Sequence, residues 1–161
     1  MAVTEPSKKV LSTGEYRQIA QFRYEIRRFL HFSEQAARNA GLEPRQHQLM
    51  LALKGLPKDV RPTIGELAKR LQLQHHSAVE LANRLASGGY VRRRRGNLDR
   101  REVLLSLTAE GERILSGLSL DHWSELRTQG PELISVLKRV IQVKKKSLPS
   151  RAALRRPQEN T

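Results

Sequence analysis

The chain contains no cysteine. That excludes disulfides, thiolate nucleophiles and thiol-based redox sensing together. Aromatic residues make up only 4% of its 161 residues, so a core must be assembled from Leu, Ile, Val and Ala. Acidic residues are scarce too: 16 Asp and Glu stand against 30 Lys and Arg, a formal net charge of +14. No apolar run approaches the roughly 20 residues that span a bilayer. The N-terminus, MAVTEPSKKVLSTGEY, lacks the apolar centre of a signal peptide, and a cytoplasmic protein is expected. A Gly-rich phosphate loop, a nucleophile elbow and an HExxH zinc motif are all missing. The few carboxylates pair with no base at a recognisable spacing. Neither an enzyme nor a cofactor or metal is expected.

What the chain does have is length for one domain, or one domain with an appendage, and a great deal of positive charge. Charge of this size repels itself in a compact monomer unless it meets a polyanion. Nucleic acid, an anionic membrane surface and a merely solubilising surface are the competing explanations, and the placement of the charge decides between them. The shortage of large core residues suits long helices that share their core with a second chain.

Apolar residues Ile19, Phe22, Ile26, Phe29 and Leu30 recur at the spacing of an amphipathic helix between Ser12 and Ala40, which Gly41 stops. Pro44 opens a second helix through Leu49 and Leu53, ended by Gly55-Leu56-Pro57. Thr63-Ile64-Gly65-Glu66 has capping-box form, with the Thr63 hydroxyl on the Glu66 N–H and the Glu66 carboxylate reaching back. The helix that follows buries Leu67, Ala68 and Leu71. Gln72-Leu73-Gln74 leaves room only for a tight turn. A further helix from His75 to Ser87 buries Ala78, Leu81, Ala82 and Leu85, and Gly88-Gly89 cap it. Ser77 to Glu80 also has capping-box form, so this helix could begin two or three residues later.

Tyr90 to Arg94 reads as a strand, Gly96-Asn97 as a turn, and Glu102 to Leu107 as a second strand with Val103, Leu105 and Leu107 on one face. Thr108 caps a long helix through Leu115, Leu118, Trp123 and Leu126, and Pro131 opens a last one through Leu133 and Ile141. Residues 1–11 and 148–161 read as flexible tails, the second following Lys144-Lys145-Lys146.

Helix, tight turn, helix and arginine-rich hairpin together make a helix-turn-helix with a wing. The second helix of such a motif enters the major groove, its N-terminal residues at base edges. Here those are Gln74, His75, His76 and Ser77, and the helix dipole favours a phosphate beside them. The hairpin holds six arginines within ten residues, Arg92 to Arg95 with Arg100 and Arg101. At its tip they would reach the flanking backbone and the minor groove, where arginine suits the strong negative potential. The candidate DNA contacts are Thr63, Gln74, His75, His76, Ser77 and Arg84 on the helical part. On the hairpin they are Arg94, Arg95, Asp99, Arg100 and Arg101. Glu80 on the second helix would repel phosphate. It can instead accept from a cytosine amine, pair with an arginine or cap Ser77.

The stretch LAKRLQLQHHSAVELANRLASGGYVRRRRGNLDRREVLLSLTAEGE resembles the winged helix-turn-helix of MarR-type transcriptional regulators. The resemblance covers Pro62 to Arg113, and rests on Asp99-Arg100-Arg101 in the wing and Leu107-Thr108-Ala109-Glu110-Gly111 after it. It implies a mainly α fold with a small hairpin wing, and a homodimer formed by helices 12–40 and 109–147 around lobe 41–108. It also implies a pseudo-palindromic operator, with Arg101 in the minor groove and Asp99 orienting it. A small anionic or phenolic effector that releases DNA is implied as well, with His31 and His47 as candidate contacts.

Blander readings stand beside these. Arginine runs are often solvated surface. His75 and His76 suggest metal, yet adjacent side chains on a helix do not face each other. His31, His47 and His122 can be plain core or surface histidines. A non-specific architectural DNA-binding protein, or a membrane-surface adaptor using the basic tail, would account for the charge without an operator.

Overall fold

The computed structural model describes residues 10–96 and 102–142. Five helices and two strands follow in the order α1 (Thr13–Asn39), α2 (Pro44–Lys54), α3 (Ile64–Arg70), α4 (His75–Ser87), β1 (Val91–Arg95), β2 (Val103–Leu107) and α5 (Ala109–Gln142). This is the expected mainly helical fold with one antiparallel hairpin, in register from Val91 opposite Leu107 to Arg95 opposite Val103. No described helix is long and apolar enough to cross a membrane. Residues 1–9, the wing tip 97–101 and everything from 143 onward lie outside the described residues. So, therefore, do the expectations for Asp99, Arg100, Arg101, most of the tails and Lys144 to Lys146.

The chain divides into two units, 29–127 and the remainder. The larger has its core where α2, α3 and α4 meet: Leu49, Met50, Leu67 and Leu85 are fully buried, with Val91, Leu105, Leu115 and Leu118 around them. A leucine taken fully out of water contributes about 2 kcal/mol, so the helix-turn-helix is held by its own apolar face. In the smaller unit Glu25 is buried, accepting from Gln21 Nε2 at 2.8 Å and from Arg28 Nη1 at 3.0 Å.

Local chemistry places the element ends. Thr63 Oγ1 accepts from the Glu66 N–H at 3.1 Å and starts α3. The reciprocal half of that box is not made: the Thr63 N–H donates to the Arg61 carbonyl, and the Glu66 carboxylate is taken by Arg70 at 2.8 Å. The Glu43 N–H, which begins α2, does find such a partner in Gln46 Oε1 at 2.9 Å. Between α3 and α4 the turn holds Gln72 at φ +54°, a left-handed conformation that costs a side-chain-bearing residue roughly 1–2 kcal/mol. After α4, Gly89 takes φ +77° so that the Tyr90 N–H can reach back to the Leu85 carbonyl. Only glycine adopts that angle freely.

Two expectations are corrected here. β2 buries Leu104 as well as Leu105, because Pro62 and Thr63 pair along its outer edge: Thr63 bridges Leu104, and the Leu105 N–H donates to the Pro62 carbonyl at 2.9 Å. And Pro131 opens no separate helix, since α5 runs through it. An internal proline removes one helix bond and crowds the preceding turn, at a cost of about 3 kcal/mol. It is tolerated because Pro131 sits on the exposed side, while the covered stripe of Leu115, Leu118, His122, Glu125, Gln129, Leu133, Val136 and Val140 keeps helical spacing past it. Gly130 before it also has no Cβ to meet the proline ring.

The motif after β2 is a joint. Thr108 Oγ1 accepts from the Gly111 N–H at 3.0 Å and donates to the Gly89 carbonyl at 2.6 Å, tying the start of α5 to the end of α4. Gly111 lies so close to β1 that an added Cβ would stand 2.1 Å from the Tyr90 carbonyl oxygen. Gly111→Ala is expected to lower unfolding stability by about 1–3 kcal/mol, the usual range for overpacking. Urea unfolding would measure it, and an unchanged midpoint would show that the joint yields without strain.

Candidate nucleic-acid interface

α4 presents a polar end. It begins at His75 after Gln74, whose carbonyl accepts from the Ala78 N–H at 3.1 Å. The later start suggested by Ser77 and Glu80 is not adopted, because Glu80 pairs with Arg84 one turn on. That pair is the arginine alternative for Glu80. Both partners are exposed, so it is worth little in stability, but it sets a carboxylate against the Arg84 charge. Gln74, His75 and His76 are exposed and Ser77 is half-buried, with no acidic residue in the first turn. The N–H groups of a first turn have no partner inside the helix, so this end offers donors and a positive dipole to an anion. Thr63 keeps its hydroxyl proton available, since its oxygen acts as acceptor in the cap.

The structure gathers these residues only in part. Gln74 to Ser77 share one helix end. Arg84 is nine residues on from His75, about 13 Å along the axis, and faces Glu80. The outward stripe of α4 continues from His76 through Glu80 and Asn83 to Ser87. Asn83 is absent from the sequence-derived candidates, although seven residues from His76 is two helical turns and so the same face.

Strand β1 carries the wing charge. Arg92 to Arg95 are all exposed. Pairing puts Val91, Arg93 and Arg95 on one face of the hairpin with Leu107, Leu105 and Val103, and Arg92 and Arg94 on the other. Arg93 donates to the Asn83 amide oxygen on α4. Arg92, Arg94 and Arg95 make no ion pair among the described residues. An Arg61–Glu102 ion pair holds the tip-side end of the second strand. The four arginines are thus not equivalent: Arg93 is tied to the helix, Arg92 and Arg94 lie on the opposite face, and Arg95 shares the face of Arg93 without such a bond among the described residues.

The histidine candidates separate. His31 is exposed on α1. His47 is 2% exposed and stacks on His122, ring centroids 4.8 Å apart. Phe29 and Phe32 meet His122 edge-on at 6.0 and 5.8 Å. The Leu118 carbonyl accepts from His122 Nδ1, so Nε2 is free to accept from the Ser33 hydroxyl at 2.7 Å. Burial, and the His122 ring next to it, lower the His47 pKa to about 4. Among the described residues no cluster of three metal-ligating side chains forms.

A cleft of about 790 Å³ opens between the second half of α1 and the first half of α5. Phe32, Ile114 and Leu118 supply its apolar wall, and Arg113, Asp121 and Glu125 its charge. Arg113 holds the Glu110 carboxyl below its usual range through a hydrogen bond. Neither His31 nor His47 lines this cleft.

Comparison with known proteins agrees with this geometry. Residues 40–102 match the model of the MarR family. No curated protein matches the chain. Among solved structures, AbsC, a MarR family transcriptional regulator from Streptomyces coelicolor, superposes with a TM-score of 0.69 at 19% identity, over 86% of this chain and 94% of that one. The YusO protein from Bacillus subtilis gives 0.59 at 17%, over 83% and 100%. A mutant MarR from E. coli complexed with operator DNA gives 0.58 at 21%, over 81% and 92%. The fold is therefore the MarR winged helix-turn-helix, as the resemblance in the sequence implied.

Proposed function

We propose that this chain is a sequence-specific, DNA-binding transcriptional regulator of the MarR type, acting as a homodimer. The observation that carries the reading is the exposed polar first turn of α4 together with the exposed arginines of β1. Base-edge chemistry on a helix end and phosphate chemistry on a strand are the two halves of winged-helix recognition. In this reading Gln74, His75, His76 and Ser77 meet bases. Thr63, Arg84, Arg94, Arg95, Arg100 and Arg101 meet backbone or minor groove, with Asp99 orienting Arg101. Dimerisation is supported by apolar side chains left exposed on both long helices, among them Tyr16, Ile19, Trp123 (64% exposed), Ile134 and Ile141 (70%). A soluble monomer has little reason to leave so many uncovered.

We further propose repression relieved by a small aromatic or phenolic effector in the cleft between α1 and α5. Its volume suits a small molecule, Phe32, Ile114 and Leu118 give it one apolar wall, and Arg113 offers a cation beside Asp121 and Glu125. Such a ligand releases DNA only if it prefers one dimer geometry over the other.

Selection of duplexes from a random pool tests the main claim. A pseudo-palindrome with half-sites about one helical turn apart is the expected result. Enrichment of no motif would overturn it in favour of charge-only architectural binding.

A further inference from the structure

We infer that Asn83 and Arg93 form a strut that sets the wing against the recognition helix, making Arg93 a positioning residue rather than a DNA contact. The inference rests on the DNA-binding reading above and adds a division of labour inside the arginine cluster.

A two-stranded hairpin is marginal without packing on one face. Here the two strands are anchored differently. β2 is held along its outer edge by Pro62 and Thr63, and at its tip-side end by the Arg61–Glu102 pair. β1 buries Val91, and after it every residue to Arg95 is exposed. The Arg93–Asn83 bond is the one side-chain hydrogen bond between β1 and α4 among the described residues. It reaches the outward stripe of α4 that also carries His76.

Face and chemistry both favour this role. Arg93 shares its hairpin face with Val91 and Leu105, whereas Arg92 and Arg94 point to the opposite one. Four adjacent guanidinium groups repel one another, which favours a spread of wing angles. A bond from the planar guanidinium to an amide oxygen narrows that spread more than a flexible point charge could. The wing's outward arginines then arrive at the flanking backbone already oriented, at a smaller ordering cost on binding.

A neutral substitution gives the test its edge. Asn83→Ala, Arg93→Ala and the double variant are compared with wild type by salt titration on a duplex that wild type selects from random sequence. Circular dichroism confirms the fold, and stoichiometric titration of each protein at high duplex concentration counts binding-competent molecules. If the pair is a strut, Asn83→Ala removes no charge and still lowers the log–log salt slope, because misplaced wing arginines no longer reach phosphates, each worth about 0.9 of slope. Affinity is expected to fall about three- to tenfold for each single variant, and the double to be no weaker than the worse single. Hydroxyl-radical protection of the flanks should fade in all three.

Additive losses, or an Asn83→Ala slope equal to wild type, overturn the strut. The second pattern would make Asn83 a base contact or a bystander. Wild type that binds no duplex overturns the strut together with the DNA-binding reading. Wild type that binds while the variants fail the cycle overturns the strut alone.

Discussion

Replacing Arg94 and Arg95 together by alanine is expected to weaken DNA binding about a thousandfold, and almost equally on selected and random duplexes. Both side chains are exposed on β1 and make no ion pair among the described residues, so their charge is available to phosphate. The proposed dimer gives up four cationic groups, at roughly 1 kcal/mol for each exposed charge-assisted bond to phosphate. Each such bond also releases counterions, so the salt slope should flatten by up to about 3.6. Arg101→Ala is expected to act the same way on a smaller scale, flattening the slope by up to about 1.8. His76→Ala and Ser77→Ala should contrast with both. Neither removes a fixed charge near neutral pH, so the slope should hold. Discrimination between the selected and random duplexes should instead fall by about 1–3 kcal/mol for each base-edge interaction removed. Salt titrations on both duplexes separate the two patterns. An Arg94→Ala/Arg95→Ala variant with wild-type affinity and slope would show that the wing does not touch DNA.

Acid is expected to destabilise the fold by roughly 3 kcal/mol through His47 alone. In the unfolded chain this side chain takes up a proton as pH falls through 6.5; in the folded chain it does so only at about 4. Between those values the unfolded state holds more protons, so stability falls with falling pH, at about 1.4 kcal/mol per pH unit. It is intact above pH 6.5 and gone below about 4. The cause is spatial. The ring is buried, it stacks on His122, and His122 is itself held between the Leu118 carbonyl, Ser33, Phe29 and Phe32. A charge on His47 would have no water there and a second imidazole 4.8 Å away. His47→Phe keeps a flat ring for stacking and cannot titrate. Urea unfolding from pH 7.5 to 4, at one protein concentration so that any dimer contributes equally, should show a shallower fall for the variant. Parallel curves for wild type and His47→Phe would place the acid sensitivity elsewhere.

Much of the architecture was readable from local pattern. The helix-turn-helix, the caps at Thr63, Gly89 and Thr108, and the boundaries of α1, α2 and α4 depend on a few neighbouring residues, through hydrophobic period and capping chemistry. The arginine-rich strand was legible for the same reason: charge and alternation are properties of the chain itself. So was the expectation of a polar start to α4, since Gln74 to Ser77 are consecutive and the buried stripe of α4 points the other way.

What tertiary structure decided lies between residues far apart in sequence or between competing local options. Pro131 argues locally for a break, but it lies on the exposed side of α5 and the covered stripe passes it on the other, so the helix continues. Glu66 could complete its capping box, but Arg70 takes the carboxylate and Arg61 the Thr63 N–H. Leu104 should face solvent by alternation, until Pro62 and Thr63 lie along its strand. No spacing rule brings His47 beside His122, or sets Arg93 against Asn83 and apart from the arginines on either side of it. Periodicity says which face of an element turns inward. Which side chain it meets there depends on how the elements pack, and in this chain that packing stacks two histidines and separates one arginine from its neighbours.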